Sequence, residues 1–198
     1  MTDNNMSEER GQKKSLYSDI NLINEFVEHR NVLLYGEINS ALAMEIMMIL
    51  LKLEQIDPNA PINIYIDSPG GDVRAGLTII DTMKSIKPKI NTFCYSMAAS
   101  MAAIILACGD KRYAFEHSTI MIHQPLSPME GIYRQTDLSE RARSLEEMRK
   151  DLETILSNAT NGKTSLEAMH AACDKDNYLK PQEALEMGLI DHILNSKK

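Results

Sequence analysis

The sequence has 198 residues, of which 43% are hydrophobic and 25% charged, and its net charge is −7. These fractions are typical of a globular domain and exclude a disordered or fibrous chain. The acidic balance argues against a nucleic-acid partner, which needs clustered Lys and Arg to neutralise phosphates. No window resembles a secretory signal or a membrane span, so we expect a cytoplasmic protein without a membrane partner.

The three cysteines, an odd number without a C-x-x-C pair, predict neither a disulfide framework nor a zinc site. We expect them to be small buried hydrophobic residues. Residues 1–14 are polar and lack periodicity, which predicts a mobile N-terminal arm. We expect residues 15–198 to form a single domain, since 198 residues fall below the length at which cores split.

After the arm, short apolar runs alternate with longer amphipathic runs. This alternation predicts an α/β fold of repeated β-α-β units with parallel strands. The predicted strands begin at Asn31, Asn63 and Lys89, and the predicted helices begin at Ala41, Val73 and Ala99.

The second half of the chain has a different pattern. Two predicted strands, KRYAF and STIMIH, are separated by a tight connection at residues 116–118. A charged run from Thr136 to about Asn158 has helical spacing and no Gly or Pro, so it predicts one long helix. Pro181 begins a short helix that Gly188 ends, and LIDHIL is predicted to be the last strand.

The long helix has a narrow apolar stripe. A narrow stripe on a projecting helix favours packing against a partner, such as a second copy of the chain. Its members are Leu138, Ala142, Leu145, Met148, Leu152 and Ile155.

Ser100 lies between an apolar strand and an apolar helix. At the first turn of a helix, a serine hydroxyl is close to unpaired N–H groups and to the positive end of the helix dipole. The residues alone leave two interpretations open, a nucleophile and a simple N-cap serine.

The SPGGD segment, residues 68–72, follows a predicted strand in the same way. Two adjacent glycines let a substrate approach bare N–H groups. An oxyanion hole made by the N–H groups of Gly71 and Met101 is one interpretation. A plain strand-to-helix turn is the other.

His123 ends a predicted strand, where a side chain points to the rim of a sheet and an imidazole can act as general base. A structural histidine is the alternative. Asp174 and Asp176 stand in a predicted loop, and the residues alone favour solvated carboxylates there. A serine, a histidine and an aspartate can nevertheless form a triad in this chain order, because triads are defined by geometry.

Several motifs together resemble the proteolytic subunits of the Clp protease family, from about Asn31 to Asn195. They are SPGG (68–71), MAASM (97–101), MIHQPL (121–126), D-x-D-N-Y-L (174–179) and P-x-E-A-x-x-x-G-L-I-D (181–191). The resemblance implies a serine peptidase with Ser100 as nucleophile, His123 as base and Asp176 as orienting acid. It also implies Gly71 and Met101 as oxyanion donors.

The resemblance further implies the crotonase-like α/β fold, with the helix at about 136–160 as a protruding handle between two stacked heptameric rings. It implies no metal and no organic cofactor, an unfolded polypeptide substrate, and an AAA+ unfoldase that uses ATP. The sequence itself contains no phosphate-binding loop.

Some positions depart from the family pattern. Asn63 and Ser85 stand where aromatic residues are typical of the groove that docks the unfoldase, whereas Tyr65 is retained. Ser96 replaces a glycine, which we expect to narrow the strand exit, and Asp67 replaces an asparagine. Insertions at residues 127–134 and 161–164 flank the long helix.

Two other functions compete with an active peptidase. One is an inactive or regulatory ring subunit that works with a paralogue, against which the retention of Ser100, His123 and Asp176 argues. The other is a crotonase-fold enzyme acting on acyl-CoA thioesters, which does not need such a set of three residues.

Overall fold

A largely parallel β-sheet forms the centre of the molecule. The computed structural model describes residues 20–195, so the predicted arm at residues 1–14 lies outside the described part. The helices are α1 (Ile20–Glu28), α2 (Ser40–Ile56), α3 (Val73–Ser85), α4 (Met101–Ala107), α5 (Gln135–Ala159), α6 (Leu166–Ala172) and α7 (Pro181–Met187). The strands are β1 (Asn31–Tyr35), β2 (Ile62–Ser68), β3 (Ile90–Ala99), β4 (Lys111–Phe115), β5 (Thr119–Ile122), β6 (Asn177–Leu179) and β7 (His192–Leu194).

The sheet has the order β1-β2-β3-β4-β7, and each neighbouring pair in this row is parallel. The predicted β-α-β units are therefore confirmed. β4 and β5 both pair in parallel with β3, β4 along its first half and β5 along its last three residues. β6 extends the sheet beyond β5 as an antiparallel strand.

The core lies between one face of the sheet and helices α2, α3 and α4. Alternate residues of β2, Ile62, Ile64 and Ile66, are fully buried, as the two-residue period of a strand requires. Every residue of the short helix α4 is buried. Because α4 begins directly after β3, its burial fixes the turn at Ser100 against the edge of the core.

The opposite face of the sheet carries a row of stacked aromatic rings. Tyr65 and Phe93 have ring centroids 4.8 Å apart, and Phe93 and Tyr113 have centroids 4.7 Å apart. One row further toward the start of the strands, the amide of Asn63 donates to Asn31 and accepts from Asn91. Asn63 thus belongs to a polar ladder beside the aromatic row.

The long helix predicted from Thr136 to about Asn158 is confirmed as α5, which is one residue longer at each end. Its buried residues, Leu152, Glu153 and Leu156, all lie in the C-terminal half. The N-terminal half is exposed, including Leu138 of the apolar stripe. Within residues 20–195, no helix is long and apolar enough to cross a membrane.

Three predicted boundaries are wrong. The helix predicted from Ala99 begins at Met101, because Ala99 still belongs to β3 and pairs with β5. Residues 177–179, assigned to a loop, form β6. The last strand begins at His192 and not at residue 189, since Leu189 and Ile190 are buried in the preceding turn.

Candidate active site

Ser100 occupies the sharp turn between β3 and α4. Its φ of +55° and ψ of −123° are rare for a residue with a side chain. The backbone N–H of Ser100 donates to the carbonyl of Met121 at 2.8 Å, and its own carbonyl accepts from Ala103 at 3.0 Å. Its hydroxyl forms no capping hydrogen bond with α4. The N-cap interpretation therefore does not account for this side chain.

The hydroxyl of Ser100 instead lies against the imidazole of His123. Ser100 Oγ and His123 Nε2 are 2.8 Å apart, and His123 Nδ1 is 3.1 Å from Asp176 Oδ1. A carboxylate can only accept, so the Nδ1–H donates to Asp176 and Nε2 is left to accept from the serine hydroxyl. The His123 side chain is 11% exposed and that of Asp176 is 58% exposed.

The antiparallel pairing of β5 with β6 explains why His123 and Asp176 meet. Ile122 is paired with Asn177, so the next residues outward on the two strands are His123 and Asp176. Asp176 is thus placed by a strand that the sequence assigned to a loop. The Asp176 carboxylate is solvated, as the residues alone indicate, and it also bonds His123, which they do not indicate.

The two glycines of the SPGG turn are packed against the backbone on both sides. Gly70 has a φ of +94°, and a Cβ built on it would lie 2.7 Å from the Cβ of Ser100. A Cβ on Gly71 would lie 2.1 Å from the carbonyl oxygen of Ile38. Larger residues are therefore excluded at both positions.

Buried Ser68 fixes the start of this turn. Its hydroxyl donates to the carbonyl of Gly36 at 2.6 Å and accepts from the N–H of Gly70 at 3.1 Å. At the other end, the Asp72 carboxylate accepts from the N–H of Ala75 and caps α3. Both ends of the turn are held in place.

The N–H groups of Gly71 and Met101 have no hydrogen-bond acceptor within residues 20–195. Met101 is the first residue of α4, where an N–H has no partner inside the helix. A Cβ on Gly70 would lie 3.1 Å from the nitrogen of Met101, so the SPGG turn and the start of α4 face each other closely. Both free donors belong to the two turns that meet at Ser100.

The site at Ser100 combines a hydroxyl, an imidazole, a carboxylate and free backbone N–H groups. In the described residues, no group of three or more His, Cys, Asp or Glu side chains is arranged to hold a metal ion. Two of the cysteines, Cys94 and Cys173, are buried as expected, whereas Cys108 is only partly buried. Burial raises the pKa of Cys94 to about 11 and that of Cys173 to about 12, so both thiols are protonated at neutral pH.

The comparison with protein families identifies the chain. A family model described as Clp protease matches residues 12–197. The chain belongs to the Clp protease family. The sheet and its flanking helices agree with the Clp protease fold, so the predicted fold class is confirmed.

The Clp protease match covers every motif on which the resemblance was based. Within it, the structure brings together Ser100, His123 and Asp176, with Gly71 and Met101 beside the serine. Membership of the Clp protease family supports a serine peptidase.

Two further positions near the site were missed in the sequence. Gly70 contacts the serine more closely than Gly71 does, which the double glycine did not distinguish. Gln124, directly after the histidine, bonds the segment that leads to Asp176. Ser96 is exposed at the irregularity where β3 loses register with β2, and the expected narrowing of the strand exit stays a prediction.

Proposed function

We propose that this chain is a serine endopeptidase that cleaves short peptides and unfolded polypeptides. Ser100 is the nucleophile, His123 the general base and Asp176 the acid that orients the imidazole. The observation that carries the proposal is the 2.8 Å contact between Ser100 Oγ and His123 Nε2, because a serine hydroxyl becomes nucleophilic only when a base can take its proton.

The reaction is acyl transfer. Ser100 Oγ attacks the peptide carbonyl while its proton passes to His123 Nε2, and the imidazolium then gives that proton to the leaving amine. Water hydrolyses the acyl-enzyme by the same proton transfers. The free N–H groups of Gly71 and Met101 stabilise the negative oxygen of each tetrahedral intermediate, for which one donor contributes about 3–4 kcal/mol in comparable enzymes.

The oligomeric part of the proposal is a homo-oligomer of two stacked heptameric rings in the cytoplasm, built from one domain per chain at residues 15–198. Clp protease family members generally form rings. The exposed N-terminal half of α5, with Leu138 on its surface, supplies an apolar surface for a second copy. In this assembly α5 acts as the handle between the rings.

An AAA+ unfoldase is the proposed partner, and it rather than this chain uses ATP. Two polar side chains stand in the expected docking groove: Asn63 is hydrogen-bonded to Asn31 and Asn91, and Ser85 Oγ donates to the carbonyl of Thr82. Neither side chain offers an apolar surface. A pull-down with a cognate unfoldase tests this part, and no binding at micromolar protein would contradict it.

Hydrolysis of a fluorogenic peptide by the purified protein tests the main proposal. We expect activity that travels with a large species on a sizing column and disappears in Ser100→Ala. A fluorophosphonate, which reacts with activated serines, should label the wild type and not the variant. A well-formed ring that neither cleaves nor labels would instead indicate the inactive or regulatory subunit that works with a paralogue.

A further inference from the structure

A group of polar side chains lies beside the His123 end of the site, between α5, α6 and β5. We call it the Arg149 cluster, and it consists of Arg149 and Glu153 of α5, His170 of α6, and Gln124. The Arg149 side chain is 12% exposed and that of Glu153 only 4% exposed. A charged pair this far from water must be closely matched by its hydrogen-bond partners.

Glu153 fixes the orientation of the arginine. One carboxylate oxygen accepts from Arg149 Nε at 2.7 Å, and the other lies 2.7 Å from His170 Nδ1. Both oxygens are occupied, so the carboxylate cannot turn away. The hydrogen bond to Glu153 also raises the pKa of Arg149, which keeps the guanidinium charged.

The other nitrogens of the guanidinium point toward the active-site segments. Arg149 Nη1 donates to Gln124 Oε1 at 3.2 Å, and Nη2 donates to the carbonyl of His170 at 3.1 Å. Nη2 is also 3.6 Å from Asp174 Oδ1. One arginine therefore contacts the residue after His123 and a residue two before Asp176.

Gln124 in turn bonds the segment that leads to Asp176. Its backbone N–H donates to the carbonyl of Cys173 at 2.7 Å, and its side-chain Nε2 donates to the carbonyl of Asp174 at 2.6 Å. The last pair of the ladder between β5 and β6 is Ile122 with Asn177, so the ladder stops one position short of His123 and Asp176. The pair thus lies between the end of a three-residue ladder and the bonds of Gln124.

We infer that Arg149 is a positioning residue for the proposed peptidase reaction, acting through Gln124 to hold His123 and Asp176 at hydrogen-bonding distance. The inference rests on the proposed function. Arg149 does not touch the reacting groups. It sets the distance between the two segments that carry them, and it belongs to α5, the helix whose N-terminal half is exposed.

The experiment compares two Arg→Lys variants of α5. In Arg149→Lys the charge remains beside Glu153, but a single ammonium group cannot also bond Gln124 and the carbonyl of His170. We expect kcat for the fluorogenic peptide to fall about ten-fold with KM unchanged, since small misplacements of catalytic groups are costly. Arg143→Lys is the matched control, because Arg143 is exposed and lies 3.9 Å from Glu147.

A double-mutant cycle with Gln124→Met separates positioning from general destabilisation. Gln124→Met keeps the length of the side chain and removes its bonds to Arg149 and Asp174. If both residues act through one bond, the double variant will lose no more activity than the worse single variant. Rates are compared on fractions that elute as the wild type does.

Four outcomes of these experiments are informative. Wild-type kcat in Arg149→Lys would overturn the inference, as would losses that multiply in the double variant. A loss confined to Arg149→Lys and Gln124→Met, without multiplication, supports it. Hydrolysis that persists in Ser100→Ala would overturn the proposed function itself, and the inference with it.

Discussion

At the scale of single residues, the backbone of Ser100 is held in an unfavourable conformation by its neighbours. Its positive φ costs on the order of 1–3 kcal/mol in comparable sites, which the hydrogen bonds of its N–H and carbonyl offset. This conformation directs the hydroxyl to His123 and away from the helix end. Gly70 lies directly against this turn, so the room for the nucleophile depends on the absence of one side chain.

We predict that Gly70→Ala will lower peptide hydrolysis about a hundred-fold, because the added methyl would lie 2.7 Å from both the Ala99 carbonyl oxygen and the Ser100 Cβ and would displace the nucleophile. Fluorophosphonate labelling of Ser100 should slow to a similar extent. The measurement is the rate of each reaction at equal protein concentration.

Gly162→Ala is the control for the effect of φ alone. Gly162 has a φ of +84°, and a Cβ there meets no atom within 4 Å. We expect this variant to lose a little stability and to keep its activity. Equal loss in both variants would show that backbone strain, and not the contact with Ser100, is responsible.

At the scale of helices and strands, α5 differs between its two halves. The C-terminal half buries Leu152 and Leu156 in the core, whereas the N-terminal half leaves Leu138 44% exposed. An apolar stripe that continues from the core onto an exposed helix is a surface for another copy of the same helix. The C-terminal half therefore contributes to the core, and the exposed N-terminal half is the surface on which the proposed assembly depends.

Leu138→Glu should split the assembly without unfolding the chain. A carboxylate at this position forfeits roughly 1.5–3 kcal/mol of apolar burial in each copy and adds repulsion between facing helices. We expect elution as a smaller species at micromolar protein, with an unchanged circular dichroism spectrum. Ser144→Glu adds the same charge to the same helix outside the apolar stripe and should elute as the wild type. Wild-type elution of Leu138→Glu would contradict the assembly surface.

The elements that the sequence predicts well are those with a clear period. The strands from Asn31, Asn63 and Lys89, and the helix from Thr136, follow from alternating or helical spacing. β6 has only three residues and no period of its own, and its pairing with β5 alone makes it a strand. The same pairing explains why the position of Asp176 could not be found without the resemblance.

The candidate site shows the same division. The sequence, through the family motifs, predicts which residue types come together at Ser100. It cannot predict the positive φ of Ser100 or the bond from Arg149 to Gln124, because these depend on contacts between distant segments. Arg149 and Gln124 are 25 positions apart, and hydrophobic periodicity does not predict a contact between residues so far apart in the sequence.

At the scale of the whole molecule, the buried guanidinium of Arg112 joins the ends of several elements. It donates to the carbonyls of Ala159 at the end of α5 and Gly188 after α7, and it pairs with Asp191 before β7. These bonds hold the exposed α5 helix to the sheet. Arg112 is 3% exposed, so removal of the Asp191 carboxylate would leave the guanidinium charge buried without its ionic partner.

The hydrogen bond from Arg112 holds the pKa of the Asp191 carboxyl below its usual value. A carboxyl with a lowered folded-state pKa stabilises the fold above its unfolded pKa, and this stabilisation is lost as the pH falls through the folded value. We predict that Asp191→Asn lowers the free energy of unfolding at pH 7 by about 2 kcal/mol, and with it the urea midpoint. The difference in unfolding free energy between wild type and variant should shrink below about pH 4.

Urea unfolding at several pH values between 7 and 3.5 provides the measurement. Glu147→Gln is the control, since Glu147 is exposed and 3.9 Å from Arg143, and its midpoint should match the wild type throughout. A difference between wild type and Asp191→Asn that stays constant with pH would show that the charge of Asp191 does not contribute.

The separation of the site residues along the chain also matters while the protein is being made. His123 comes 23 residues after Ser100, and Asp176 comes 53 residues after His123. At roughly 5–20 residues per second, the ribosome takes about 3–10 s to add the last of these stretches. During that interval the emerging chain has a serine and a histidine but no strand β6 to align them. Under the proposed mechanism, a nascent chain is therefore inactive toward its neighbours on the same polysome until β6 has been made.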